Sequence, residues 1–257
     1  MRPERRRGKL STDAILGGRL VVSQPLRGHR VGHDAILLAA ASPAQAGEHA
    51  VDLGAGIGAA GLALARRVPG LTVTLVDIDP ALAALATDNA ERNGLAARVR
   101  AVCLDATAAP TAFAAAGLKA GSSDRVLMNP PFNAPQNPSP NAARRAAHTA
   151  MPGAPAQWLR SAARLLRRGG TVTLIWRADG LAEVLNAVAA DFGAIAVLPI
   201  FPKPNVPAIR VLLRAVKGSR APTALLPGLL LADAGGRPSK EAEAVLRGGA
   251  ALPLARD

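Results

Sequence analysis

Three aspartates and a run of glycines stand beside short apolar segments. Asp52 lies just ahead of Gly54, Gly56 and Gly58 in "VDLGAGIG", Asp77 closes the run "LTVTLVD", and Asp105 follows "ARVRAVCL". Glycines between a strand and a helix permit a tight turn and a close approach of ligand to backbone. Gly54-x-Gly56-x-x-Ala59 fits the dinucleotide fingerprint, and a carboxylate at the end of the second strand accepts hydrogen bonds from ribose hydroxyls. Alone, the loop indicates a nucleoside cofactor or a purely structural turn. A dehydrogenase rarely needs acids at all three strand ends, whereas a ligand with a cationic amino-acid tail and an adenosine uses them well. The fourth element is Asn129-Pro130-Pro131-Phe132, directly after the apolar run ending at Met128. It is stiff, polar at one end and aromatic at the other. Such a segment suits a rigid pocket wall better than a core; the plainer reading is an Asn-Pro turn with an incidental Phe.

Positioning these groups requires strands that end at one edge. From about Ala50 the pattern alternates: apolar run, glycines, helical stretch to Arg67; strand-like "LTVTLVDID"; a helix from Pro80, its first turn, to Gly94, its C-cap; strand-like "ARVRAVCLD" and "DRVLMN". "APAQWLRSAARLLRRGG" reads as a helix closed by Gly169 and Gly170, "TVTLIW" as a strand, "GLAEVLNAVAADFG" as a helix, and "AIAVLPIF" and "AIRVLLRAV" as strands. Strands alternating with helices imply a parallel sheet covered on both faces. Residues 1–10 read as a basic, flexible N-terminus and residues 11–217 as the main domain. Residues 218–257 read as an extension packing on that domain, with a short helix near Ser239–Arg247. No internal repeat is visible.

The chain has 257 residues, 31 Lys and Arg against 18 Asp and Glu, and a net charge of +13. That balance suits nucleic acid or another anionic surface, though an Arg-rich composition alone produces it. The single cysteine, Cys103, excludes an intrachain disulfide and fits a reducing compartment. With no apolar run near the ~18 residues of a membrane span and no secretory h-region, a soluble cytoplasmic protein is expected. No Cys/His cluster suggests a metal site, and no Ser-His-Asp arrangement is visible. His33 and His148 read as polar surface, Trp158 and Trp176 as core, and "ARRAAH" (143–148) as a solvated helical face.

In order and placement, "VDLGAGIG", "LVDID", "CLDA" and "MNPPF" resemble the S-adenosylmethionine-dependent methyltransferases of the seven-stranded type. The Asn-Pro-Pro-aromatic tetrad resembles the subgroup that methylates planar amino nitrogens. With "GHRVGHDAILLAAASP" and "PAIRVLLRAVKG", the chain looks like the bacterial tRNA(Val) adenine-N6 methyltransferase family over roughly residues 11–218. The resemblance implies an α/β fold, a seven-stranded Rossmann-like doubly wound sheet of the class I methyltransferase type, with S-adenosyl-L-methionine as cofactor and RNA as partner. It implies that Gly54 and Gly56 approach the methionine part and ribose, and that Asp77 holds the ribose hydroxyls and Asp105 the adenine amino group. It implies that Asp52, Gly58, Ile78, Ala106 and Asn129 complete the cofactor-binding set. Gly32, His33 and Asp34 lie on a segment folding over the cofactor. His33 stands where relatives commonly carry a small hydroxyl residue, and Phe132 where close relatives often carry Tyr.

The implied chemistry concerns an exocyclic amine whose lone pair is delocalised into a ring. Asn129 through its side-chain oxygen and Pro130 through its carbonyl would accept the two N–H groups and free that lone pair. Pro131 helps to fix the carbonyl, and Phe132 stacks on an extruded base. The same cradle fits a glutamine amide of a release factor, guanine-N2 of ribosomal RNA, or adenine in DNA. A non-catalytic cofactor-binding protein is a further alternative, against which intact Asn129 and Asp77 argue. The positive charge favours nucleic acid over protein. Oligomeric state is left open.

Overall fold

The computed structural model describes residues 10–26, 31–131 and 154–256. The basic N-terminus, Phe132, Arg144, Arg145 and His148 lie outside the described residues. The strands are β1 (Leu10–Ile15), β2 (Leu20–Pro25), β3 (His49–Leu53), β4 (Thr72–Asp77), β5 (Val99–Cys103) and β6 (Ser123–Met128). They continue with β7 (Leu166–Arg177), β8 (Phe192–Phe201), β9 (Arg210–Lys217), β10 (Ala224–Leu225) and β11 (Leu229–Leu230). The helices are α1 (His33–Ala41), α2 (Ala59–Arg67), α3 (Pro80–Arg92), α4 (Pro110–Ala115), α5 (Ala154–Leu165), α6 (Leu181–Val188) and α7 (Lys240–Leu246).

Among the described residues, the main sheet runs β10-β8-β9-β7-β6-β3-β4-β5, with β11 also on β8. Its seven long strands form the expected doubly wound sheet. Pairs β3–β4, β3–β6, β4–β5 and β6–β7 are parallel. The expectation of an all-parallel sheet needs one correction: β9 runs antiparallel to both β7 and β8. Only residues 202–209 join β8 to β9, too few for the helical crossover that a parallel pair needs. Leu62, Leu64, Leu75 and Leu127 pack on the α1–α3 face, and Val51, Leu53, Phe113 and Leu159 on the α4–α6 face.

The α3 ends follow their local signals. Asp79 Oδ1 accepts from Ala81 N at 2.8 Å, Pro80 opens the first turn, and Gly94 takes φ +66° after the last. The helix expected to reach Gly170 instead stops at Leu165. Leu166 pairs with Ser123, and the regular ladder resumes at Thr171 opposite Arg125. Leu166 is fully buried and a Cβ on Gly170 would lie 2.9 Å from Asp124 O, so strand pairing overrides helix propensity there.

The β1–β2 hairpin was not legible in advance. Two side chains of α3 hold β2: Asn89 Oδ1 accepts from Ser23 N at 2.8 Å while its Nδ2 donates to Ser23 O, and Asn93 treats Val21 the same way. Four residues of helix rise about 6 Å and two of strand about 6.6 Å, so the two amides match alternate peptide groups. The C-terminal segment closes the opposite flank. β10 and β11 extend β8, Leu252 N donates to Ala40 O at 2.8 Å, and Arg214 Nη1 donates to Leu254 O and Arg256 O. Ser239 caps the short helix α7 through Ala242 N. Among the described residues no helix is long and apolar enough to cross a membrane.

Candidate active site

Register brings the sequence motifs to one edge. Leu53 pairs with Val76 on one side and with Met128 on the other, so the turn at Gly54 lies between Asp77 and Asn129. Asp77 pairs in turn with Cys103, which places Asp105 at the next strand end. The carboxyl ends of adjacent parallel strands form the crevice in which open α/β sheets bind ligands.

The glycine turn is held from two sides. Asp77 Oδ2 accepts from Gly56 N at 2.7 Å, and its Oδ1 accepts from Asp79 N at 2.9 Å. Ala55 N donates to Val76 O at 2.9 Å. Gly54 takes φ +71°, and a Cβ on it would lie 2.4 Å from the Trp158 ring. Trp158, read from sequence as core, is a half-buried lid on that turn. A Cβ on Gly56 would meet nothing within 4 Å, so the space above this residue is open. Inside α2, Gly61 allows close contact with Leu75, whose Cδ2 would lie 2.3 Å from an added Cβ.

The acids differ in environment. Asp52 is buried, its Oδ2 accepting from Gly61 N at 2.8 Å. Burial pushes its carboxyl up to about 7; the Gly61 bond opposes this and the Asp77 charge adds to it. Asp105 is exposed, and one oxygen takes both Thr107 N at 2.7 Å and Thr107 Oγ1 at 2.8 Å. Neighbouring Ala106 is buried, while Ile78 is 53% exposed beside Asp77.

Asn129 carries the least satisfied group at this edge. Its Oδ1 is buried and has no hydrogen-bond partner among the described residues. Pro130, immediately after it, is buried. Phe132 lies outside the described residues, so the tetrad is traced only to Pro131.

Before the first strand of the main sheet, Gly32 and His33 are exposed at the start of α1. Asp34 pairs with Arg210 at 3.0 Å, which ties α1 to the start of β9. Asp34, assigned from sequence to the cofactor segment, is therefore engaged by a guanidinium of the sheet. Gln24 was missed altogether. Buried, it accepts from Val31 N at 2.9 Å and donates to Asp13 Oδ2 at 2.8 Å, and so fastens the hairpin to the segment leading into α1. A lone Gln inside an apolar strand was the one available signal. Among the described residues no group of three or more His, Cys, Asp and Glu side chains could hold a metal ion.

A sequence model of the methyltransferase small domain matches residues 29–199. A release factor glutamine methyltransferase of Chlorobaculum tepidum is 32% identical over 60% of this chain, which spans about half, 53%, of that relative. A tRNA1(Val) (adenine(37)-N6)-methyltransferase of Bacteroides fragilis is 27% identical, over 72% of this chain and 76% of the relative. The solved structure of a predicted O-methyltransferase from Agrobacterium tumefaciens superposes with a TM-score of 0.73 at 30% identity. It covers 85% of this chain and 98% of its own. TrmN from Thermus thermophilus, at 24% identity and a TM-score of 0.51 over 71% of this chain and 48% of its own, shares the fold. The chain belongs to the methyltransferase small domain family and is an S-adenosylmethionine-dependent methyltransferase.

Proposed function

We propose that the enzyme methylates the exocyclic amino group of adenine in RNA, with tRNA as the substrate class. The observation that carries the amino-group reading is the buried Oδ1 of Asn129, which has no hydrogen-bond partner among the described residues and lies one residue beyond the strand partner of Leu53. A buried acceptor without a donor costs about 1–3 kcal/mol, a cost recovered when a ligand N–H arrives.

The residues present fit the cofactor. Open space above Gly56 leaves room for a ligand against the backbone, and the Asp77 carboxylate, which accepts from Gly56 N and Asp79 N, stands beside that space at the strand end. Exposed Ile78 offers an apolar face beside Asp77, and Asp105 supplies a second, exposed carboxylate, while buried Asp52 faces inward and holds Gly61 N. Bound there, S-adenosylmethionine supplies a methyl group on a sulfonium whose departure leaves a neutral thioether. Asn129 Oδ1 accepts one N–H of the target amine and the Pro130 carbonyl the other, drawing the nitrogen toward tetrahedral geometry. The two prolines hold that carbonyl without rearrangement. Alignment and electrostatics do the work, with no strong general base: the N-methylated amine is cationic and strongly acidic, and it releases its extra proton to solvent.

The +13 net charge supports nucleic acid as the acceptor. The second reading is a glutamine amide of a release factor, favoured by the 32% identical relative. Transfer of radiolabelled methyl to bulk tRNA, ribosomal RNA and release factor separates the readings. Label in tRNA adenine is expected; label in release factor alone would overturn the RNA reading.

The ribose role of Asp77 has its own test. Asp77→Asn keeps an oxygen for Gly56 N but removes the charge, whereas Asp77→Ala frees the glycine turn as well. The Ala variant is expected to weaken S-adenosylmethionine binding by about 1–3 kcal/mol, and the Asn variant by less. Calorimetry showing wild-type affinity in a folded Ala variant removes Asp77 from the cofactor site.

A further inference from the structure

A second cationic site lies at the other end of the sheet. Arg160 and Arg164 of α5, Lys217 at the end of β9, Ala163 and Asp191 line an open surface cleft of about 320 Å³. β9 runs antiparallel to β7, with Arg210 opposite Arg177 and Lys217 one position past the Thr171–Val216 pair. Lys217 therefore sits at the end of the sheet opposite Asn129. From Thr171 to Arg177 is six residues, about 20 Å of strand.

The charges in this cleft are held in place but not neutralised. Lys217 Nζ donates to Leu166 O at 2.6 Å. Arg164 Nη2 donates to Ser161 Oγ at 2.9 Å and to Ala108 O at 3.3 Å. All three acceptors are uncharged. Arg160 is exposed and makes no hydrogen bond or ion pair among the described residues, and Asp191 is the one acid in the lining. Arg160 and Arg164 are four residues apart on one helix face, where like charges repel. Exposed Arg167 and Arg168 follow directly, although Arg167 is paired with Asp124. Two elements, α5 and β9, thus converge positive charge on a cleft large enough for a nucleotide unit.

We infer that this cleft binds backbone phosphates of the RNA substrate about 20 Å from the reacting amine, so that a folded RNA is gripped at both ends of the sheet. The inference deepens the RNA reading of the active site and rests on it. It implies that a folded RNA gains affinity from the cleft, whereas an oligonucleotide of a few residues, filling only the amine site, gains none.

The test is fluorescence anisotropy of total tRNA on the full chain across 50–200 mM salt, with Arg160→Glu and Arg160→Lys. Arg160→Glu is expected to lower tRNA affinity several-fold and to reduce the log–log salt slope by about 1, the contribution of one phosphate contact. Arg160→Lys should keep both, and melting temperature, S-adenosylmethionine affinity and binding of a five-residue oligonucleotide should be unchanged in each variant. Unchanged tRNA affinity and slope in Arg160→Glu overturn the inference. So does loss of methyl transfer to release factor without loss of tRNA binding, which would make the cleft a seat for an acidic protein. If tRNA accepts no methyl yet Arg160→Glu still weakens its binding, the cleft stands and the substrate reading falls.

Discussion

Asn129→Ala is expected to lower kcat by ~10²–10³ while cofactor affinity and melting temperature stay near wild type. The side-chain oxygen is buried and unpaired among the described residues, so its removal strands no donor among them. Its bond to the amine strengthens as the nitrogen becomes tetrahedral, so the loss falls on kcat more than on KM. Phe132→Ala should differ: a stacking platform is worth ~1–3 kcal/mol per base, and its loss raises KM as well. Single-turnover kinetics on the labelled acceptor distinguish the two patterns. Near-wild-type turnover of Asn129→Ala would return the Asn-Pro-Pro segment to a plain turn.

Asp52→Asn is expected to change the pH dependence of stability. The wild-type carboxyl is raised by burial from its ordinary 3.8 to about 7. The folded state therefore binds a proton more tightly than the unfolded chain. Its favourable contribution is complete below pH 4 and is lost as pH rises toward and through 7. Across that window the group shifts stability by on the order of 4 kcal/mol, the price of ionising a carboxylate away from water. Asn keeps an oxygen for Gly61 N and does not titrate. Denaturant melts of the cofactor-free protein at pH 5 and pH 8 should show the wild type losing stability relative to the variant at the higher pH. Parallel pH profiles would place the proton elsewhere.

The reading of Asp77, Asp105, Gly54, Gly56 and Asn129 from sequence relied on local signals. Each follows a short apolar run, and a parallel sheet collects the ends of such runs at one edge whatever lies between them. Strand register accordingly placed four separate motifs side by side without any of them encoding another's position. The α3 boundaries were legible for the same reason, since Asp79, Pro80 and Gly94 act on their own turns.

The remaining features depend on partners far along the chain. β2 pairs through Asn89 and Asn93 with a helix 66 and 72 residues away, and two Asn on a helix carry no mark of such a strand. Gly54 reads as a ligand contact, yet its lack of a Cβ also admits Trp158, more than a hundred residues later. Arg164 and Lys217 look like scattered surface charge until α5 and β9 bring them to one cleft. Sequence by itself determined which residues end the strands, because backbone periodicity and turn residues act over a few positions, and the resemblance of its motifs implied the cofactor. The tertiary structure alone decided the hairpin, the Trp158 lid, the reversal of β9 and the convergence of cations, because those arise from packing and hydrogen bonds between segments that leave no periodic trace in either one.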